Sequence, residues 1–181
     1  MQHKEIGQKN LRFNKKKFIY LISPLKINNN FYYHLENVLS QKKVSIFQLR
    51  LKKENMKKKI IIGKKIKKIC KKFNVKFLIN DDVYLAQRLD ADGCHLGQKD
   101  MNILKARKLI GNKIIGITCH NSIKLAKDAL KNKANYLAFG AFNLSNTKKT
   151  KYVASLKLLK KAKMLTKKPI VAIGGINSNN Y

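Results

Sequence analysis

Two short polar segments of the sequence combine carboxylates and amides in a way that suits a divalent cation. Segments 80–82 (Asn-Asp-Asp) and 98–100 (Gln-Lys-Asp) each follow a short apolar run. If those runs are neighbouring strands, about 4.8 Å apart, Asp81 and Asp100 can reach one ion. Mg²⁺ is commonly bound by one or two carboxylates together with phosphate oxygens and water. The alternative is that each aspartate is the N-cap of a following helix.

A cationic strand face strengthens the metal hypothesis. Residues 46–52 read IFQLRLK, and alternation with period two places Gln48, Arg50 and Lys52 on one face. Burying two cations costs free energy unless a counter-charge is present, and a phosphate-bearing ligand would supply one. The alternative is that this end of the strand is simply hydrated. Five of the nine acidic residues also fall within residues 81–100. Together these features favour a magnesium–diphosphate site over two helix caps.

Polar residues also follow the later apolar runs. In 145–149 (Ser-Asn-Thr-Lys-Lys), the hydroxyl groups together with Lys148 predict an anion-binding loop. The Gly-Gly pair at 174–175 allows backbone N–H groups to approach a phosphate. Cys119 and His120 are adjacent and could suggest a nucleophile–base pair, but neighbouring residues seldom face each other, so we do not expect one.

The elements that must position these residues alternate regularly. Short apolar runs predict strands at 18–23, 44–49, 76–79, 93–96, 114–117, 136–139 and 170–173. Amphipathic stretches predict helices near 29–41, 54–73, 82–89, 101–110, 121–131 and 151–165. This alternation predicts a parallel sheet with right-handed crossovers. Because no GxGxxG follows the first strand and polar motifs end many successive strands, a (β/α) barrel is favoured over an open doubly wound sheet.

The composition narrows the class of protein. There are 41 Lys+Arg residues against 9 Asp+Glu, for a net charge of +32, but only four are arginine. Lysines spread along the predicted helices indicate a hydrated surface and no specific nucleic-acid partner. Three cysteines without a CxxC pair predict a reducing, cytoplasmic location. No apolar run approaches the roughly 20 residues of a membrane span, and basic residues 1–17 are expected to form a flexible N-terminal arm.

Taken in order, these motifs resemble the thiamine-phosphate synthase family. The matching segments are QLRLK at 48–52, INDD at 79–82, ADGCHLGQKD at 91–100, GITCH at 116–120, SNTKK at 145–149 and PIVAIGGI at 169–176. The resemblance covers the chain from about residue 18 onward. It implies a TIM (β/α)₈-type barrel and a Mg²⁺-dependent transferase. Such an enzyme joins hydroxymethylpyrimidine diphosphate to a thiazole phosphate, giving thiamine phosphate and pyrophosphate.

The resemblance also implies roles for individual residues. Asp81 and Asp100 would bind Mg²⁺, while Arg50, Lys52 and Lys148 would act electrostatically, without a protein nucleophile. The residues implied to bind the two substrates are Gln48, Arg50, Lys52, Asn80, Thr118, Ser145, Asn146, Thr147, Lys148 and Gly175.

Two features of the sequence depart from the family pattern. Ala141 stands where a proline is usual, and the sequence reaches Tyr181 soon after the seventh predicted strand. We therefore expect an incomplete barrel of about seven strands, without the eighth βα unit. Two alternatives stay open: a thiazole tautomerase-like isomerase that uses His120, and a catalytically impaired homologue that binds anions or nucleic acid.

Overall fold

A computed structural model describes residues 18–143, 151–177 and 179–180. The strands are β1 (Ile19–Ile22), β2 (Val44–Leu49), β3 (Lys76–Asn80), β4 (Gly93–Leu96), β5 (Ile114–His120), β6 (Tyr136–Phe139) and β7 (Ile170–Ala172). The helices are α1 (Asn30–Ser40), α2 (Met56–Lys72), α3 (Val83–Arg88), α4 (Ile103–Ile110), α5 (Ile123–Lys131) and α6 (Leu156–Leu165). All strand pairs are parallel, in the order β1-β2-β3-β4-β5-β6-β7.

The sheet curls into a nearly closed barrel with two separate apolar layers. Ile46, Leu78 and Tyr136 belong to a cluster inside the barrel to which several strands contribute. Phe47 and Ile79, their neighbours along the strands, belong to the larger core, because successive strand side chains point to opposite faces. That larger core includes buried residues of the helices, so it lies between the sheet and the helix layer. The predicted parallel barrel of about seven strands is confirmed.

Two predicted boundaries were wrong. The fifth strand continues beyond residue 117 to His120, and its pairing with β6 shifts register between Thr118 and His120. The sixth helix begins at Leu156 instead of residue 151. The preceding backbone is extended, since Ala154 N–H donates to Ala141 O. Ser155 then provides the N-cap by accepting a hydrogen bond from Leu158 N–H. Both boundaries are fixed by hydrogen bonds to residues that are distant in the sequence. The periodicity of the sequence carries no information about such contacts.

Parallel strands bring their carboxyl ends to one end of the barrel, and the polar motifs follow those ends. The basic arm predicted at 1–17 lies outside the described residues and stays a prediction. Within the part of the chain that the structure describes, no helix is long and apolar enough to cross a membrane.

Candidate active site

The loops that follow β3 and β4 bring two carboxyl groups together. Asp81 comes directly after β3, and its backbone N–H donates to His95 O at 2.8 Å, which ties the loop to the neighbouring strand. Asp100 accepts a 2.7 Å hydrogen bond from Gly97 N–H within its own loop. The Asp81 and Asp100 carboxyl groups lie close enough for each to shift the pKa of the other. The two aspartates singled out in the sequence therefore converge at the mouth of the barrel.

Neither of these aspartates is a helix cap. Asp82 is the N-cap of α3, where its side chain accepts from Leu85 N–H. Asn102 is the N-cap of α4 and accepts from Lys105 N–H. Asp81 instead adopts a left-handed backbone conformation, with φ of 62°. The capping alternative therefore does not account for Asp81 or Asp100, and both carboxyl groups are available for another role.

The paired carboxyl groups perturb each other's titration. Burial by itself raises the pKa of Asp81, but hydrogen bonds with Asp100, Lys52 and Asn80 outweigh burial and lower that pKa. The pKa of Asp100 is raised, first by burial and then by its hydrogen bond with Asp81. Two negative charges are thus held close together, a repulsion that a divalent cation would relieve.

The segment that directly follows β2 supplies cations beside this pair. Lys52 Nζ lies 3.0 Å from Asp81 Oδ2. Arg50 is anchored through its backbone N–H, which donates to Ser23 Oγ. Among the described residues, no carboxylate pairs with the Arg50 guanidinium. Gln48, two positions earlier, is 2% exposed and points into the barrel. A phosphate at this mouth would meet one guanidinium that has no carboxylate partner.

The other aspartates of the acid-rich stretch lie elsewhere. Asp90 pairs with Lys67 and Lys113 at 3.1 and 2.5 Å. Asp92 pairs with Lys76 and accepts from Phe77 N–H at the start of β3. Both aspartates precede β4 and so lie at the amino end of the strands. Of the five acidic residues that lie close together in the sequence, only Asp81 and Asp100 converge at the mouth. The mouth is therefore less acidic than the sequence suggests.

A hydrogen-bonded row of side chains crosses the barrel interior below the mouth. Tyr20 and Tyr136 join their hydroxyl groups at 2.7 Å. Gln48 Nε2 donates to Tyr20 at 3.0 Å. Tyr136 contacts His95 Nδ1 at 2.8 Å, and His95 Nε2 contacts Thr118 Oγ1 at 2.9 Å. We call these five side chains the interior network.

Three members of the interior network, Tyr20, His95 and Tyr136, were missed as site residues. Each lies on a strand position that faces inward, and Gln48 and Thr118 were already candidates. One inward-facing polar side chain on each of β1, β4 and β6 is the signal that could have found them.

The end of β5 separates two residues that are adjacent in sequence. Cys119 is fully buried in the core outside the barrel, and burial raises the pKa of its thiol to about 12. His120 instead has a left-handed backbone, with φ of 50°, and its ring stacks on Tyr152 with centroids 4.0 Å apart. The two side chains therefore have different surroundings. The Cys119 thiol contacts Ile117 O instead of His120, in line with the expectation that these neighbours form no nucleophile–base pair.

The loops after β6 and β7 support each other. The carbonyl of Gly174 accepts from the backbone N–H groups of Phe142 and Asn143, at 3.3 and 3.0 Å. Gly174 and Gly175 have φ values of 96° and 65°, which favour glycine. Gly175 therefore lies at the mouth, next to the loop that leads into the predicted anion site. That site, comprising Ser145, Asn146, Thr147 and Lys148, lies outside the described residues.

The chemistry of the mouth fits Mg²⁺. Its donors are the two carboxylates of Asp81 and Asp100, with the amide of Asn80 beside them. Mg²⁺ is usually bound by one or two carboxylates and keeps its other positions for water and substrate phosphates. Within the described ranges, no group of three or more His, Cys, Asp or Glu side chains could enclose a metal ion. A site with two carboxylates is compatible with Mg²⁺ that is also bound by substrate phosphates and water.

Comparisons with known proteins agree on one family. A family model described as thiamine monophosphate synthase matches residues 19–181. The thiamine-phosphate synthase of Pelagibacter ubique (strain HTCC1062) is 66% identical over 167 residues, which are 92% of this chain and 81% of that protein. That of Saccharophagus degradans is 46% identical over 138 residues, 76% of this chain and 64% of the relative.

Solved structures agree with the fold. A thiamine phosphate pyrophosphorylase from Pyrococcus furiosus superposes with a TM-score of 0.78 at 30% identity, covering 90% of this chain and 77% of that one. A truncated 3-deoxy-D-arabino-heptulosonate 7-phosphate synthase from Thermotoga maritima gives a TM-score of 0.56 at 14% identity. At that identity the second likeness shows the fold alone.

Proposed function

The chain belongs to the thiamine monophosphate synthase family of transferases, and we propose that it condenses hydroxymethylpyrimidine diphosphate with a thiazole phosphate. The products are thiamine phosphate and pyrophosphate. The observation that carries this proposal is the convergence of Asp81, Asp100 and Lys52 beside Arg50, whose guanidinium has no carboxylate partner among the described residues. This arrangement suits a diphosphate that arrives with a divalent cation.

The diphosphate would be bound by the cations that directly follow β2. Arg50 has a planar fork of N–H donors that matches phosphate oxygens, and its backbone is anchored just beyond the end of β2. Lys52 is half-exposed and already turned toward the site by Asp81, so it can neutralise a second phosphate oxygen. We assign Lys148 the same role and Asn80 a position beside the ligand. Gln48 lies deeper, where it would contact the pyrimidine portion, and Thr118 would contact an oxygen of the diphosphate.

Carbon–oxygen bond cleavage would need charge stabilisation and no covalent intermediate with the protein. The thiols of Cys70, Cys94 and Cys119 are buried and their pKa values are raised, so none is a ready nucleophile. Departure of pyrophosphate leaves a pyrimidine methyl cation, which the thiazole nitrogen captures. Arg50, Lys52 and Lys148 would stabilise the negative charge that develops on the departing group.

Asp81 and Asp100 would hold Mg²⁺, which when bound adds positive charge to the diphosphate oxygens. The thiazole phosphate would be bound by the hydroxyl and amide groups of Ser145, Asn146 and Thr147 together with the backbone N–H of Gly175. This assignment is supported because no acceptor among the described residues contacts the Gly175 N–H.

We place the reaction in the cytoplasm, and we expect small phosphorylated molecules, not nucleic acid, as ligands. The three cysteines are all free and buried, which supports a reducing compartment. The paired carboxylates at the mouth disfavour a polyanion, since they would repel its phosphates in the absence of a cation.

The test of the proposed function is an assay of the purified chain with both substrates and MgCl₂. We expect thiamine phosphate and pyrophosphate to appear together, only with both substrates present, and to stop when EDTA is added. A folded chain that forms neither product would contradict the proposal. Isomerisation of the thiazole phosphate alone, abolished by His120→Asn, would identify the isomerase alternative instead.

A further inference from the structure

The interior network has a single direction. Gln48 donates from Nε2 to the Tyr20 oxygen, so the Tyr20 proton is left for Tyr136. The Tyr136 proton is then directed at His95 Nδ1, which must accept it. The remaining proton of a neutral imidazole lies on Nε2 and is donated to Thr118 Oγ1. Each hydroxyl has one proton, so fixing one link fixes the next.

Both phenols are suited to relay hydrogen bonds without changing charge. Burial raises the pKa of Tyr20 and, still more, that of Tyr136. They therefore stay protonated near neutral pH, and each can accept one hydrogen bond while donating another. A reversal of one link would make two protons, or two lone pairs, face each other in a low-dielectric interior, which is costly. The five side chains can therefore reverse only together.

The two ends of the network present opposite hydrogen-bonding groups to the barrel mouth. Among the described residues, no donor contacts Gln48 Oε1, so that oxygen stays an acceptor for a ligand. Thr118 Oγ1 receives its hydrogen bond from His95, which leaves the hydroxyl proton of Thr118 for a ligand acceptor. The barrel therefore offers an acceptor on β2 and a donor on β5.

We propose that Tyr20, Tyr136 and His95 are positioning residues that couple the polarity of Gln48 to that of Thr118. The ligand that fits has an N–H donor at one end and an anionic acceptor at the other. This inference rests on the proposed function, since an aminopyrimidine diphosphate has both groups. An acceptor oxygen held by Thr118 stabilises the direction in which Gln48 accepts from the amino group, so the two contacts reinforce each other across the barrel.

The first test needs no substrate and no activity. In the full chain labelled with ¹⁵N-histidine, NMR of the ring nitrogens reports which one carries the proton, and a His95→Gln variant identifies the signals. We expect His95 to be neutral with its proton on Nε2, and Tyr136→Phe to shift the Nδ1 resonance. A proton on Nδ1, or a doubly protonated ring at pH 7.5, would overturn the proposed direction.

The second test measures substrate discrimination. The probe is the ratio of kcat/KM for the aminopyrimidine diphosphate to that for the same diphosphate with hydrogen replacing the amino group. We expect Tyr136→Phe to lower this ratio at least tenfold, mainly through the amino substrate. Tyr84→Phe, at a 61% exposed tyrosine, is the matched control and should leave the ratio within twofold.

Two outcomes distinguish a failure of this inference from a failure of the proposed function. If the wild-type chain makes no thiamine phosphate, the proposed function fails, and the His95 spectrum still decides the direction of the network. If the chain is active but folded Tyr136→Phe keeps the wild-type ratio, the coupling is wrong. Tyr20→Phe breaks the network at a different link, so it serves as the test if Tyr136→Phe does not fold.

Discussion

The hydroxyl oxygens of Tyr20 and Tyr136 lie 2.7 Å apart, although their strands, β1 and β6, are five places apart in the sheet. In a flat sheet with strands about 4.8 Å apart, those strands would be separated by about 24 Å. The sheet must therefore curl until β1 and β6 face each other across its interior. The interior network forms only when the barrel closes, because its members lie on strands that are far apart in the sequence.

We expect Gly116→Ala to destabilise the fold strongly. A Cβ built on Gly116 would overlap the ring of Tyr136, which is fully buried and has no room to move. Overpacking of this kind costs about 3 kcal/mol, measurable as a lower urea midpoint at an unchanged m-value.

Gly111→Ala is the matched control. Nothing lies within 4 Å of its Cβ position, so only its backbone conformation, with φ of 57° and ψ of −130°, opposes alanine, at about 1–3 kcal/mol. Equal losses in the two variants would argue against the packing account.

We expect Asp90→Asn to lower stability slightly at neutral pH and not at all near pH 2. Hydrogen bonds from Lys113 and Lys67 lower the pKa of Asp90 to about 2. A lowered folded-state pKa stabilises the fold above the ordinary aspartate value and loses this effect as pH falls toward 2. Because the side chain is 78% exposed, screening limits the difference to about 0.5 kcal/mol. Urea unfolding from pH 7 to pH 2 would show it, and a difference that grew in acid would contradict it.

Much of the fold could be predicted from local pattern. Short β-rich runs and amphipathic stretches located all seven strands and six helices, because burial on one face imposes periodicity directly on the sequence. The convergence of Asp81 and Asp100 followed from the same reasoning, since each ends one of two adjacent strands. These inferences needed only strand order and the rule that parallel strands end together.

What could not be predicted depends on contacts made after the barrel closes. Asp82, not Asp81, caps α3, because the left-handed turn at Asp81 moves the helix start by one residue. Tyr20 and Tyr136 read in the sequence as ordinary strand residues, since tyrosine is common in strands. Their role depends on Gly116, whose missing side chain leaves space for a phenol ring from the next strand.

We expect Arg50→Gln to weaken binding of the diphosphate. The guanidinium has no carboxylate partner among the described residues and would make charge-assisted hydrogen bonds to phosphate. Losing about 1.5–3 kcal/mol of such bonding corresponds to a roughly ten- to hundredfold higher Ki for pyrophosphate. Arg88→Gln, at an exposed arginine in the last turn of α3, is the control and should leave that Ki unchanged. An Arg50→Gln variant that is inhibited as strongly as the wild type would remove Arg50 from the site.

Asp81 and Asp100, with the helix cap Asp82 as a neighbouring control, allow the metal assignment to be tested. We expect Asp81→Asn and Asp100→Asn each to lower Mg²⁺-dependent pyrophosphate release by at least about 100-fold, because each removes one of the two carboxylates available to the ion. Asp82→Asn is the matched control: the side chain caps α3, and asparagine caps a helix as well as aspartate does. This variant should keep both activity and stability.

A binding measurement separates metal affinity from catalysis in the same three variants. Ligands that bind the folded state raise the melting temperature, so Mg²⁺ with pyrophosphate should stabilise the wild type and Asp82→Asn. Neither Asp81→Asn nor Asp100→Asn should respond, while both stay folded without metal, since each substitution removes a charge from a pair of carboxylates held together. Full Mg²⁺ stabilisation in both variants would exclude these two aspartates as ligands. A loss confined to Asp82→Asn would instead locate the ion on the helix cap.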